Sequence, residues 1–264
     1  MRFIVYIFII FAFINYAYAA NEPNAAVQKI SLAVDHAPPY SQINQNGEVS
    51  GAIVDIFREM KKQLPFKLEL VGCPFSRCVR MLEQGEVNAM GGLILTPMRQ
   101  QVMQFVTPPY MVLTSSFVFY AREDNQLQIN NYDDLYGKKI AIMRGAVHFK
   151  RFDEDDELTK IAVLTESTAI NLLLKGRADL VIAVEDTADH AMSVLNQPAK
   201  KLVKMQYRFN DTIYGYLALS KQFSVTPLAQ RVDALMKTMA ATGQLNTLIA
   251  PYELPPLNEQ ALSF

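Results

Sequence analysis

Residues 30–90 alternate short apolar runs with segments of helical period, and that alternation confines the chain to a layered α/β architecture. Residues 30–34 form a compact apolar run ending at Asp35-His36-Ala37-Pro38-Pro39-Tyr40. The Pro pair stops any regular element and sets Tyr40 in a stiff turn. Gly47 and Gly51 bracket a hairpin, and Ile53, Ile56, Phe57 and Met60 then recur at helical spacing, with Asp55 and Lys61-Lys62 on the wet side. Residues 66–71 alternate as a strand. Ser76 is the expected N-cap of a helix carrying Val79, Met81 and Leu82 and stopped by Gly85. Residues 87–90 read as a strand, followed by Gly91-Gly92, where backbone can be approached closely. Strand, helix, strand, helix, strand is the rhythm of a mostly parallel sheet. Such sheets bind ligands beyond the carboxyl ends of their strands. Asp35, Tyr40, Phe75 and Gly92 all fall just past strand ends, so they converge on one cleft.

A second series begins with a strand at 115–121 that has no helix before it. A short helix at 131–135, a strand at 139–143 and the turn Arg144-Gly145-Ala146-Val147 follow, with a helix start at 149–152. Strands are expected at 161–164 and 180–184, a helix between them at 168–174, and a further helix over 189–195. Residues 202–207 and 213–220 lead back. The helix over 227–242 places Leu228, Val232, Leu235, Met236 and Met239 on one core face. Two similar α/β units result, without a fixed-period repeat.

Thr96-Pro97-Met98-Arg99 is the chain's clearest site signal. A hydroxyl cap with Pro at the first helical position marks a helix start. Free N–H groups there favour an anion, and Arg99 adds a guanidinium able to grip a carboxylate bidentately. Thr96 and Arg99 are therefore expected to hold the acidic end of a small ligand.

The opening residues set the expected compartment. Met1-Arg2 precedes the apolar run FIVYIFIIFAFI, and Ala17-Tyr18-Ala19 forms a small-x-small cleavage site. Residues 1–19 are read as a secretory signal peptide, an uncleaved anchor being the alternative. Export to the periplasm and a mature chain of 245 residues (264 less 19) follow. Removing Arg2 leaves 24 Lys and Arg against 26 Asp and Glu, a balance that argues against nucleic acid or an anionic membrane as partner. In an oxidising compartment Cys73 and Cys78 are expected to form a short-loop disulfide, two buried thiols being the alternative. His36, His148 and His190 follow no ligand spacing, so neither a metal nor another cofactor is expected.

The ordered set of motifs resembles the extracellular solute-binding proteins of family three, the polar amino-acid-binding type. It comprises Asp35…Pro39-Tyr40, Gly51-(x)3-Asp55-Ile56, Phe75, Leu82-(x)2-Gly85-(x)2-Asn88, Thr96-Pro97-Met98-Arg99, Phe105-(x)2-Pro108-Pro109-Tyr110, Gly137-Lys138-Lys139-Ile140, Gly176-Arg177-Ala178-Asp179 and Tyr214-Gly215. The resemblance implies a type II periplasmic-binding-protein fold: two lobes, each a mostly parallel sheet flanked by helices, joined by two hinge strands. Lobe 1 is placed at 20–112 and 214–264, and lobe 2 at 113–213. The ligand would be enclosed on hinge closure. Phe75 would pack on its apolar part, Gly92 would offer backbone, and Thr96 would lie on the wall beside Arg99, which binds the carboxylate. Ala146 and Val147 would meet that carboxylate from lobe 2, while Glu185 or Asp186 would pair with an ammonium. Asp35 and Tyr40 complete the candidate set, and no catalytic residue is assigned.

The sequence departs from the family pattern at four places. Ile94 stands where a Thr is frequent, Ala146 where a Thr or Ser is usual, and Ala37 or Pro38 where an aromatic precedes the Pro-Tyr turn. Val184 stands at the position of the second-lobe acid. Two lost hydroxyl partners at about 1 kcal/mol each weaken α-amino-acid binding by one or two decades. The leading expectation is a monomeric, non-enzymatic binding protein for a small carboxylate or amino acid, serving an ABC permease or a membrane sensor. Two alternatives are a dehydratase-like enzyme drawing on Glu185, Asp35 or His36, and a signalling or interaction protein that has lost amino-acid binding.

Overall fold

The computed structural model describes residues 28–113, 116–194 and 202–263. The expected signal peptide and its cleavage site lie outside the described residues. Among the described residues no helix is long and apolar enough to cross a membrane.

Two five-stranded sheets organise the chain. The first has the order β4 (Phe66–Gly72), β1 (Gln28–Val34), β5 (Ala89–Leu93), β12 (Ile213–Ser220), β6 (Met103–Leu113). The second has the order β11 (Leu202–Phe209), β7 (Phe117–Arg122), β10 (Leu180–Val184), β8 (Lys139–Met143), β9 (Thr159–Val163). Each sheet is parallel but for one strand, β12 in the first and β7 in the second. These reversed strands follow the two places where the chain passes from one sheet to the other. There Ile213 pairs with Leu113 and Phe209 with Phe117, so the two passages run side by side. A two-stranded ribbon, β2 (Ser41–Ile43) and β3 (Val49–Gly51), forms the expected hairpin.

Helices cover both faces, and the sequence shows why. In β1 residues Ile30 to Val34 are buried without alternation, as a parallel strand covered on both sides requires. Helix α1 (Ala52–Met60) buries Ile53, Ile56, Phe57 and Met60, the stripe its spacing predicts. Helix α2 (Phe75–Gln84) packs Cys78, Val79 and Leu82 against β1, β5 and β12. It ends at Gly85, whose φ of 74° is open to glycine at no steric cost. Helix α3 (Pro97–Val102) is short; α4 (Lys150–Glu154), α5 (Glu166–Leu174) and α6 (Glu185–Val194) belong to the second sheet. α7 (Lys221–Ser224), α8 (Pro227–Ala241), α9 (Gln244–Ile249) and α10 (Glu259–Leu262) close the chain.

Several local expectations shift. Ser76 does not cap α2: Pro74 precedes the first helical residue with φ −57° and ψ 142°, and Ser76 lies within the first turn. The glycine pair does not follow a strand but forms part of β5. β6 was not anticipated, because Pro108-Pro109 argues against an interior strand. Both prolines fall in its register shift against β12, between the pairs Val106–Leu217 and Met111–Gly215, where no regular ladder bond is lost. α6 begins at Glu185, four residues before its expected start.

Candidate functional site

A cavity of about 200 Å³ lies between the two sheets, walled by strand ends from both. From the first sheet come Asp35, Tyr40, Phe75, Gly91, Gly92, Ile94, Arg99 and Tyr110. From the second come Met143, Ala146, Val147, Glu166, Ile182, Val184, Thr187 and His190. That volume suits a ligand smaller than a typical drug molecule.

Arg99 is the cation of this cavity. Thr96 accepts a bond from the Arg99 backbone N–H at 3.2 Å and so fixes the start of α3. Arg99 is 7 % exposed, and its guanidinium donates from Nη1 to the Ile94 carbonyl and from Nη2 to the Gly145 carbonyl, each at 2.9 Å. One acceptor belongs to each sheet's side of the cavity, so the side chain bridges them directly. Among the described residues no carboxylate lies within 4.0 Å of it. Burial lowers Arg99 to about 10, against the pull of the Glu83 and Asp153 charges, and it remains cationic at neutral pH. Thr96 itself is not in the cavity wall; its hydroxyl serves the cap rather than a ligand.

Phe75 opens α2 in a half-buried position on the wall. The Cys73–Cys78 disulfide, with a Cα separation of 5.5 Å, brackets it and ties the end of the β4 loop to the first turn of α2. Gly91 and Gly92 bring backbone to the cavity floor beside the Tyr110 hydroxyl. Burial, followed by the nearby Asp35 charge, pushes Tyr110 well above the ordinary phenol range. Tyr40 is buried, and its hydroxyl donates to Asp186 Oδ2 at 3.0 Å, a second direct link across the gap.

The second-sheet expectations change most. Ala146 and Val147 do line the cavity, but the Ala146 N–H donates to the Met143 carbonyl at 3.1 Å, and the turn presents the Gly145 carbonyl to Arg99. Glu185 does not face the cavity. As the first residue of α6 it receives Lys204 Nζ at 2.7 Å, and Arg208 lies 3.8 Å away. Asp186 is likewise outside the wall, engaged by Tyr40. Val184 stands in the wall in their place.

Glu166 was missed. It opens α5 just after the Thr165 cap, at a strand end that the sequence marked, yet nothing in the local pattern distinguishes it from a solvated first-turn acid. Its Oε1 accepts from Thr187 Oγ1 at 2.9 Å, and that hydroxyl also reaches the Val184 carbonyl. Burial raises the Glu166 carboxyl to about 7, with the charge of Asp35 adding to the rise. Asp35 is itself raised to about 6 by burial, opposed by its own backbone N–H. His36, whose Nδ1 accepts from Ile43 N–H at 3.1 Å, is lowered by desolvation and by the nearby His190. His148 is buried, lines the cavity and holds Asp153 at 3.1 Å.

The same arrangement of chain recurs in known proteins. The profile described as "Bacterial extracellular solute-binding proteins, family 3" matches residues 30–254. ABC transporter arginine-binding protein 1 of Escherichia coli (strain K12) is 28% identical over 167 residues, 62% of this chain and 65% of that one, so the chain spans just under two thirds of that relative. Among solved structures, the arginine-, lysine-, histidine-binding protein ArtJ of Geobacillus stearothermophilus superposes with a TM-score of 0.71 at 21% identity, covering 90% of this chain and 100% of that one. A histidine kinase sensor domain with similarity to periplasmic binding proteins matches with a TM-score of 0.71 at 21% identity, covering 85% of this chain and 95% of that one. Both structures establish likeness of fold. With the family profile matching residues 30–254, most of its length, the chain belongs to the bacterial extracellular solute-binding proteins of family 3.

Proposed function

We propose that this protein is a periplasmic solute-binding protein that captures a small carboxylate, an amino acid or a related compound, between two lobes and presents it to an ABC importer. Residues 1–19 are the cleaved leader, 20–112 with 214–264 form lobe 1, and 113–213 form lobe 2. The observation that carries this reading is Arg99: a buried side chain on the wall of an interlobe cavity, its guanidinium engaged among the described residues by two carbonyls, with donors to spare for an anion. Phe75, Gly92, Ala146 and Val147 shape the wall around that anion, and Asp35 and Tyr40 stand beside it. Relatives named as arginine- and histidine-binding proteins support an amino acid as the class of ligand. Contacts from both lobes make closure and binding one equilibrium, because a ligand touching both favours the closed state.

A thermal-shift screen of amino acids and small carboxylates tests the proposal. Ligand at a hundredfold over its Kd adds about 2.7 kcal/mol, which for a chain of this size raises Tm by roughly 5–11 °C. A panel in which no compound raises Tm would refute it. A second reading, signal reception rather than import, is supported by the sensor-domain likeness. Capture of a kinase ectodomain rather than a permease by the liganded protein would favour that reading.

A further inference from the structure

The helix that carries Phe75 begins without a side-chain cap. α3, α5 and α8 each start on a threonine whose hydroxyl accepts a backbone N–H of the first turn, the usual way a helix start is fixed. α2 starts on Pro74, with no side-chain bond to its first turn. What crosses this start is the disulfide. Cys73 precedes the helix, Cys78 ends its first turn, and their Cα atoms are 5.5 Å apart. Both ends are anchored. The Cys73 N–H donates to the carbonyl of Val34, the last residue of β1, at 3.1 Å. Cys78, with no exposed surface, packs in a cluster with Leu82, Met90 and Phe105. Between them the Arg77 and Cys78 N–H groups donate to the Pro74 carbonyl at 2.8 and 3.0 Å. The bridge thus sets the first turn of α2 as a threonine hydroxyl sets those of the other three helices.

That first turn is where the two sides of the cavity meet. A methyl placed on Gly145 would lie 3.6 Å from both Cα and Cβ of Ser76 and 4.0 Å from Phe75 Cε1, ordinary contact distances. Gly145 follows β8 on the second sheet's side, and its carbonyl accepts from Arg99 Nη2 at 2.9 Å. Phe75 itself lines the cavity. The Gly145 turn therefore seats on Arg99, Phe75 and Ser76 together. The Thr96 cap fixes the first of these, and the disulfide holds the segment that carries the other two.

We propose that the Cys73–Cys78 disulfide positions the seat on which the cavity closes, so that ligand affinity depends on its oxidation state while the fold does not. This rests on the reading of the cavity as the ligand site. The bridged residues are only five apart, and the constraint that a bridge places on the unfolded chain grows with loop length, so the effect falls on local order more than on global stability. As thiols the two side chains remain small apolar groups suited to their cluster. Reduction by a dithiol breaks the Sγ–Sγ bond: two electrons and two protons pass to the cysteines, and the dithiol leaves as its own disulfide. The first turn of α2 then has neither cap nor bridge. Ordering Phe75 and Ser76 for closure becomes a cost of binding, and affinity falls. Linkage makes the effect reciprocal, so bound ligand must favour the disulfide by the same factor that the disulfide favours ligand.

Titration calorimetry on the full mature chain tests the proposal, with L-arginine, L-lysine, L-histidine and L-glutamine as probes. At least one should bind the oxidised protein, and its Kd should rise at least tenfold in the dithiothreitol-reduced protein and in Cys73→Ala/Cys78→Ala, with far-ultraviolet circular dichroism unchanged. The reduced wild type carries the test where the double variant fails to fold. A dithiothreitol redox titration, with and without saturating probe, reads the reciprocal effect. For a tenfold change in Kd the reduction potential should become more negative by about 30 mV, which a bridge that only stabilises the fold would not show. Hydrogen exchange supplies a readout without ligand: the amides of residues 77 and 78 should exchange at least tenfold faster without the bridge, while those of residues 80–84 keep their rates. A Kd within twofold between oxidised and reduced folded protein would overturn the proposal and leave ligand capture standing. So would a potential that ligand does not move, or unchanged exchange at residues 77 and 78. Failure of every probe to bind the oxidised protein would overturn both.

Discussion

Replacing Arg99 with Met keeps most of the buried stem and removes only the guanidinium. The structure separates the two consequences. In the unliganded protein the Ile94 and Gly145 carbonyls each lose a donor at 2.9 Å. Gly145 is exposed and recovers water, whereas Ile94 is half-buried. An unsatisfied buried acceptor costs about 1–3 kcal/mol, and for a chain of this size about 2–4 °C accompanies each kcal/mol. Removing a buried charge offsets part of that loss, so Tm should fall by less than about 10 °C and the fold should persist. In the complex a ligand carboxylate loses two bonds from a charged donor, at about 1.5–3 kcal/mol each. The total of about 3–6 kcal/mol corresponds to roughly a 10²- to 10⁴-fold rise in Kd. Calorimetry on the wild type and Arg99→Met, with circular dichroism melting in parallel, reads both. A Kd within threefold of wild type in a folded variant would show that the guanidinium is not the carboxylate partner.

Two further substitutions probe the cleft. Tyr40→Phe removes the hydroxyl that reaches Asp186 at 3.0 Å across the gap; at about 1 kcal/mol it should weaken ligand binding about fivefold by favouring the open form, with little change in unliganded Tm, and an unchanged Kd would exclude a latching role. Gly91→Ala would place a Cβ 2.5 Å from Tyr110 Oη and 2.7 Å from Ile53 Cγ1; overpacking of about 1–3 kcal/mol should lower Tm by roughly 2–12 °C, and a calorimetric Tm equal to wild type would show that this floor can yield.

Much of the architecture was legible because the signals are local. The buried run of β1, the stripe of α1 and the Thr96-Pro97 cap each record their own backbone state, and β8, β10 and β12 appear at the bounds their apolar runs predict. β6 was not legible: its prolines are tolerated only because β12 shifts register beside them, a fact of pairing between residues about a hundred positions apart. The candidate site divides in the same way. Arg99 announces itself through its own cap, and Phe75 through its place just past a strand end.

What the chain alone determined is where strands end, and hence which residues stand at the rim of a cleft. Only the tertiary structure decided which acids look into that cleft, because a carboxylate's direction depends on what competes for it. Glu185 has Lys204 and Arg208 on a neighbouring strand and turns to them, whereas Glu166, among the described residues, accepts from the Thr187 hydroxyl and feels the charge of Asp35. Charge pairing of this kind is set by distance in space, and sequence spacing carries no record of it.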